Sequence, residues 1–169
     1  MKTYSPEIET DIAKRSKVFG IVLGLVCIPF SFLGGVLGAC CPLGSFIGVL
    51  PVVLWSGFAG FLAAMFLNWG QVTHEDAIGV GTKVGLRTGR VAAGIGAGAT
   101  FLISAVLGGS LYGAAGADQG GGVGGAASGA AASIFMNLIV AAISVGIGIV
   151  LGIVGGVIGA AIKRPSAPK

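Results

Sequence analysis

Charge is scarce in this sequence. Asp, Glu, Lys and Arg make up 9% of its 169 residues, where a soluble domain carries about 25%. So few charges cannot cover a folded chain of this size in water, which excludes an ordinary soluble enzyme domain. Histidine occurs once, so there is no pair of imidazoles for haem and no second one for a usual zinc set. His74, Glu75 and Asp76 are sequence neighbours, and neighbours on a helix point in different directions, so they read as capping residues rather than ligands. Proline occurs six times and glycine shows no Gly-X-Y period, which excludes collagen. The chain is also too apolar, at 54% hydrophobic residues, to be a disordered polar segment.

What is present is glycine, 33 residues, and long uncharged runs. From Val18 to Thr73 the only ionisable side chains are the thiols Cys27, Cys40 and Cys41, over 56 residues. One membrane span needs about 20 residues, so this run predicts two spans and a turn. The turn falls at Cys40 to Ser45, where Pro42 removes a backbone donor and Gly44 permits turn conformations. The expected spans are 18–39, 46–69, 91–112 and 131–162, with a hairpin at 70–90 and a glycine-rich connection at 113–130. Pro29 and Pro51 predict kinks within spans one and two. The fold class expected is an all-α integral membrane protein, a four-transmembrane-helix bundle.

Cations set the orientation, because short cytoplasmic loops concentrate Lys and Arg. Lys14, Arg15 and Lys17 precede span one; Lys83, Arg87 and Arg90 lie between spans two and three; Lys163, Arg164 and Lys169 follow span four. The turn at Cys40 and the segment 113–130 have none. Both termini are therefore expected in the cytoplasm, and 163–169 forms a basic tail. Trp69 and Tyr112 fall near span ends, as aromatic belt residues do, whereas Trp55 sits mid-span. Leu37-Gly38-Ala39-Cys40 resembles a lipoprotein cleavage box, but the apolar stretch before it exceeds the 7 to 15 residues of a signal peptide, which argues against cleavage. Cys40 and Cys41 fall on the non-cytoplasmic side, either oxidised or serving as small interior side chains; adjacent cysteines rarely meet the geometry of a mutual disulfide.

Glycine is spaced. Gly81, Gly85 and Gly89 recur every four residues, and Gly148, Gly152, Gly156 and Ala160 repeat the interval in span four. Residues four apart share a helix face, and a face without side chains lets two backbones approach, which is how helices associate in lipid. Glycine-zipper packing is the expectation. Span two carries the same interval in Ser56, Gly60 and Ala64, and further pairs are Gly20 with Gly24 and Gly94 with Gly98. The segment Gly113 to Gly129 lacks large side chains and reads as a flexible linker, or as a small-residue helix packed on the spans. It does not read as a phosphate-cradling loop, because no strand precedes it and no P-loop lysine follows.

Two polar segments flank the spans. Thr73 is expected as an N-cap with Glu75 and Asp76 in the first helical turn, where the macrodipole favours them. Beyond it, Lys83, Arg87 and Arg90 share one helix face, roughly opposite Gly81, Gly85 and Gly89. Those three cations either contact anionic headgroups or an acidic partner, or fix topology and snorkel. Residues 1–17 read as a cytoplasmic interfacial helix started by Ser5-Pro6-Glu7, with Ile8 and Ile12 on one face.

No Asp, Glu, Lys, Arg or His falls inside a predicted span, and such residues mark ion pathways and proton relays. Glycine-rich four-span chains of this length are similar to the proteolipid rotor subunits of rotary ATPases, but those need an intramembrane carboxylate that this chain lacks. The hydroxyls Ser31, Ser56, Thr100, Ser104 and Ser144 are expected to bond their own helix backbones. The sequence thus points to a non-enzymatic structural or accessory subunit without cofactor, or else to a small channel or carrier for an uncharged or lipidic solute. Its expected partners are membrane lipid and either further copies of itself or a larger membrane complex, not nucleic acid. A prokaryotic cytoplasmic membrane is the expected location.

Overall fold

A computed structural model describes residues 4–40, 44–116, 118 and 122–163. The described residues form four α-helices: α1 (Pro6–Cys40), α2 (Gly44–Met65), α3 (Ala77–Gly116) and α4 (Gly122–Lys163), with a 3-10 turn at Trp69–Gln71 between α2 and α3. Helix limits follow local chemistry. Ser5 lies ahead of α1, its hydroxyl 3.5 Å from the Ile8 amide and its carbonyl accepting from the Glu9 amide, and Pro6 takes the first helical position, where its missing N–H matters least. The break between α1 and α2 falls at residues 41–43, outside the described residues, as do 119–121 and the tail from Arg164 on. Pro29 and Pro51 lie inside α1 and α2 without ending either helix.

Three differences from expectation have physical reasons. Residues 6–17 are not a separate helix; α1 runs through Lys17 into the apolar stretch, because nothing between Pro6 and Ile28 removes a backbone donor. The glycine-rich segment is helical over 113–116 and again over 122–130, so most of it is not a linker. Alanine, the best helix former, alternates there with glycine and offsets its low propensity. Thr73 is not the N-cap of α3. The helix begins at Ala77, with Glu75 and Asp76 ahead of it, and the Thr73 hydroxyl donates to the Asp76 carboxylate at 2.8 Å.

The helices pack as two layers. In the first, α1 and α3 run parallel: Gly20 meets Val91, Gly24 meets Ile95 and Ser31 meets Thr100. In the second, α2 and α4 run parallel, Gly60 meeting Gly152 and Ala64 meeting Gly159. Between layers, α1 lies against α2 and α3 against α4. The two members of each interlayer pair run antiparallel.

Side-chain size is distributed inversely to a soluble protein. Buried positions are dominated by glycine, alanine and serine, whereas Leu25, Phe32, Leu54, Phe58, Phe135, Ile143 and Val150 are among the exposed large apolar side chains. Water would penalise that exterior; hydrocarbon does not, and there association relies on close backbone packing. Among the described residues, three helical stretches are long and apolar enough to cross a membrane: Pro6–Gly34, Ala77–Leu107 and Gly122–Lys163. The apolar stretch of α2, Val49–Met65, is shorter. These features make the chain an all-helical, membrane-embedded protein. Past Ala97 on α3 and before Ser144 on α4, no described residue is buried.

Candidate functional site

The two spaced glycine series lie on each other. Gly85 is set against Gly152, Gly81 against Gly156 and Ala160, and Gly89 against Gly148 and Ile149. A Cβ on Gly152 would stand 2.7 Å from the Gly89 Cα and 2.7 Å from the Gly85 carbonyl oxygen. On Gly156 it would stand 2.8 Å from both the Cα and the N of Gly85. These obstacles are backbone atoms, which cannot rotate away as a side chain tip does. α4 presents a second small face to α2, with Gly155 against Gly57 and Phe61, and Gly159 against Ala64 and the Phe61 carbonyl. Ser56, Gly60 and Ala64 supply the matching face of α2, Ser56 lying 3.1 Å from where a Gly148 Cβ would be. Gly94 and Gly98 share the same spacing but face open space, with no atom within 4 Å of a Cβ.

Hydroxyls punctuate this interior. Ser56 donates to the Val53 carbonyl at 2.7 Å and Ser144 to the Val140 carbonyl at 2.7 Å, each within its own helix. Ser31 and Thr100 do more, their oxygens meeting at 2.8 Å across the α1–α3 contact. Each also lies 2.9 Å from a carbonyl of its own helix, Cys27 or Gly96. With one proton apiece, one hydroxyl bonds its carbonyl while the other donates across the interface. The Cys27 thiol, buried, donates to the Leu23 carbonyl at 3.3 Å.

The charged end is organised around α1. Ile8 and Ile12 are buried against Leu67, Trp69, Val72, Val80 and Val84, and the Trp69 indole N–H donates to the Ala64 carbonyl at 2.8 Å. Glu9 borders that buried stripe and reaches α3: its carboxylate receives the Lys83 ammonium through one oxygen and the Arg87 guanidinium, at 3.5 Å, through the other. Lys83 also lies 5.2 Å from the centroid of the Tyr4 ring, within cation–π range. Two of the three expected headgroup cations are thus turned onto the protein, while Arg90 is exposed. Glu9 and Tyr4 are partners that sequence alone does not reveal: Glu7, Glu9 and Asp11 all border the Ile8–Ile12 stripe, and nothing in their spacing singles out Glu9.

Electrostatics follow the geometry. The hydrogen bond from Lys83, seconded by the charges of Lys83 and Arg87, holds the Glu9 carboxyl below its ordinary range despite opposing desolvation. Asp11 accepts from the Asn68 amide at 3.1 Å and from Arg15 Nε at 3.3 Å, tying the start of α1 to the connection after α2. Glu7, Ile8, Asp11, Arg15, Leu67 and Asn68 line an open cleft there of about 340 Å³. Among the described residues no group of three or more His, Cys, Asp or Glu is gathered to hold a metal ion.

Compared with known proteins, the chain matches no family, no curated sequence and no solved structure. The reading of its function therefore rests on its own geometry.

Proposed function

We propose that this protein is a non-enzymatic structural or accessory subunit of a membrane assembly: a four-span glycine-zipper bundle with both termini in the cytoplasm. The observation that carries the reading is the backbone contact between α3 and α4. At Gly81, Gly85, Gly152 and Gly156 there is no room for a single Cβ, hence none for a solute between these helices. Binding free energy of that kind serves rigidity and shape. The interior hydroxyls support the same view, since Ser56 and Ser144 bond backbone carbonyls of their own helices and not a shared path.

α2 is counted as the fourth span because Gly44–Met65, at 22 residues, reaches about 33 Å at 1.5 Å per residue, enough for a hydrocarbon core of about 30 Å. The test is native mass spectrometry of the chain extracted from its membrane in mild detergent. A stable complex with other proteins or a closed homo-oligomer is the expected result. A monomer, or a solute flux in reconstituted vesicles, overturns the proposal.

A further inference from the structure

The last exposed cation of α1 and α3, and the last exposed apolar side chain at the end of α2 and of α4, set a limit on each helix, and these limits can be placed relative to each other. On α1 the outer residues are Glu7, Thr10, Lys14 and Lys17, after which Val18 begins the apolar surface. On α3 Ile78 is exposed near the start, exposed Arg90 is the last charged residue, and the exposed apolar side chains Leu102 and Val106 lie beyond it. On α2 exposed apolar side chains run through Leu50, Leu54 and Phe58 to Phe66, and polar Asn68 follows. On α4 they run through Val150, Val154 and Ile158 to Ile162, and Lys163 follows.

Contacts between helices give the levels. Gly20 against Val91 places Lys17 close to the level of Arg90, so the limits on α1 and α3 agree. Ala64 against Gly159 places Phe66 close to the level of Ile162, so the limits on α2 and α4 agree too. Gly85 against Gly152 then sets Arg90 beside residues near 147, roughly 12 to 15 residues short of Ile162. At 1.5 Å per residue that is an offset of about 20 Å between the two layers.

We infer that the membrane surface crosses this bundle obliquely. The outer face of α2 and α4, over Leu54–Phe66 and Val150–Ile162, lies in lipid hydrocarbon at the level where the outer face of α1, from Glu7 to Lys17, lies among headgroups and water. The occupant of the apolar face is lipid and not a second copy, because the four limits pair by layer and so fall on one inclined plane. A bilayer surface requires such a plane; a dimer patch does not. Cations stand at three of the limits, Lys17, Arg90 and Lys163, where anionic headgroups favour them. Two helix diameters of about 10 Å separate the outer faces, so an offset of about 20 Å asks for an inclination near 45°. Snorkelling of Lys17 and Arg90 removes several ångströms of it, bringing the angle toward the upper range of membrane helices, about 40°. The 42 residues of α4 agree: their length of about 63 Å is twice the hydrocarbon thickness of about 30 Å and fits better at a slant.

This rests on the membrane-bundle reading above, and the test separates the two. Lys14 and Val154 stand at one level on diagonally opposite helices, both exposed. Single-cysteine variants K14C and V154C, on a background with Cys27, Cys40 and Cys41 replaced by alanine, are labelled with an environment-sensitive fluorophore. Each is reconstituted into vesicles of mixed zwitterionic and anionic phospholipid. The expected result is that the label at 154 loses its emission to a quencher carried on the acyl chains, while the label at 14 loses it only to an aqueous quencher. Loss at both positions to the acyl-chain quencher, or at 154 to neither quencher, overturns the inclination and leaves the bundle. Loss at both to the aqueous quencher alone overturns the inclination, and it overturns the membrane reading as well when a label at exposed Leu102 on α3, placed as L102C, is also lost only to the aqueous quencher.

Discussion

Replacing Gly152 with alanine places one methyl group where three backbone atoms already stand, the Gly85 oxygen and Gly89 Cα at 2.7 Å and the Gly89 nitrogen at 3.1 Å. Ordinary contact between carbon atoms is about 3.5–4.0 Å, so α3 and α4 must part by up to about 1 Å. A gap of 0.5–1 Å forfeits roughly a quarter to a half of each dispersion contact along the seam. Overpacking of this kind typically costs about 1–3 kcal/mol. The gain in helix propensity, up to about 1 kcal/mol, offsets part of it, leaving a net loss of about 0–2 kcal/mol. Gly94→Ala is the matched control, since nothing lies within 4 Å of its Cβ. There only the propensity term acts, and the variant is neutral or up to about 1 kcal/mol more stable. The two variants should differ by about 2 kcal/mol, close to thirtyfold in the unfolding equilibrium. Denaturant titration in mixed micelles, followed by the tryptophans, measures the difference. Equal stability of Gly152→Ala and Gly94→Ala would refute the reasoning, because the backbone contact is then not holding the helices.

Gly156→Leu should do more harm than Gly152→Ala, dispersing the α3–α4 contact so that disulfide cross-linking between cysteines placed on these helices fails. Glu9→Gln leaves Lys83, with 12% side-chain exposure, without its counter-charge, so limited proteolysis should cut the start of α1 sooner than in the parent; Glu9→Gln with Lys83→Met should recover part of the protection. The Glu9 carboxyl is held below its ordinary value, so its contribution is complete above the unfolded pKa of about 4.3 and is lost as pH falls through the folded value. Protease protection of α1 should thus fall in acid, and the Glu9→Gln variant should lose that dependence. For Ser31→Ala and Thr100→Val, a double-mutant cycle should give a coupling of about 0.6 kcal/mol and not above about 1.7 kcal/mol, as for hydrogen bonds between membrane helices; zero coupling would remove the interhelical bond.

Helical, membrane-compatible character was readable from charge depletion and uncharged runs because both report the solvent directly. The four-residue spacing also identified Gly81, Gly85 and Gly89 as one face, a local property of any helix. It does not reveal what a face meets. Gly94 and Gly98 have the same interval and meet nothing, while Gly57, Gly155 and Gly159 belong to no highlighted run and touch other helices. That distinction depends on helix register, which spacing within one helix does not encode. The ion pair of Glu9 with Lys83 joins residues 74 apart in sequence, and only the parallel approach of α1 and α3 brings them together. The segment 113–130 stays open in sequence between a linker and a small-residue helix because its composition suits both, and over 113–116 and 122–130 it is helix.

The uneven distribution of buried residues along α3 and α4 has a kinetic consequence. Between Ala77 and Ala97, and between Ser144 and Ala160, buried positions recur along both helices; beyond these limits none occurs on α3 or α4 among the described residues. Local opening free energy follows such burial, so the hairpin formed by the end of α3 and the start of α4 is the subunit that opens first. Its amides should exchange with solvent deuterium well before those around Gly85 and Gly152 wherever water reaches them. The molecule is graded along its length, from an end that opens only with global unfolding to one that fluctuates while the rest stays folded.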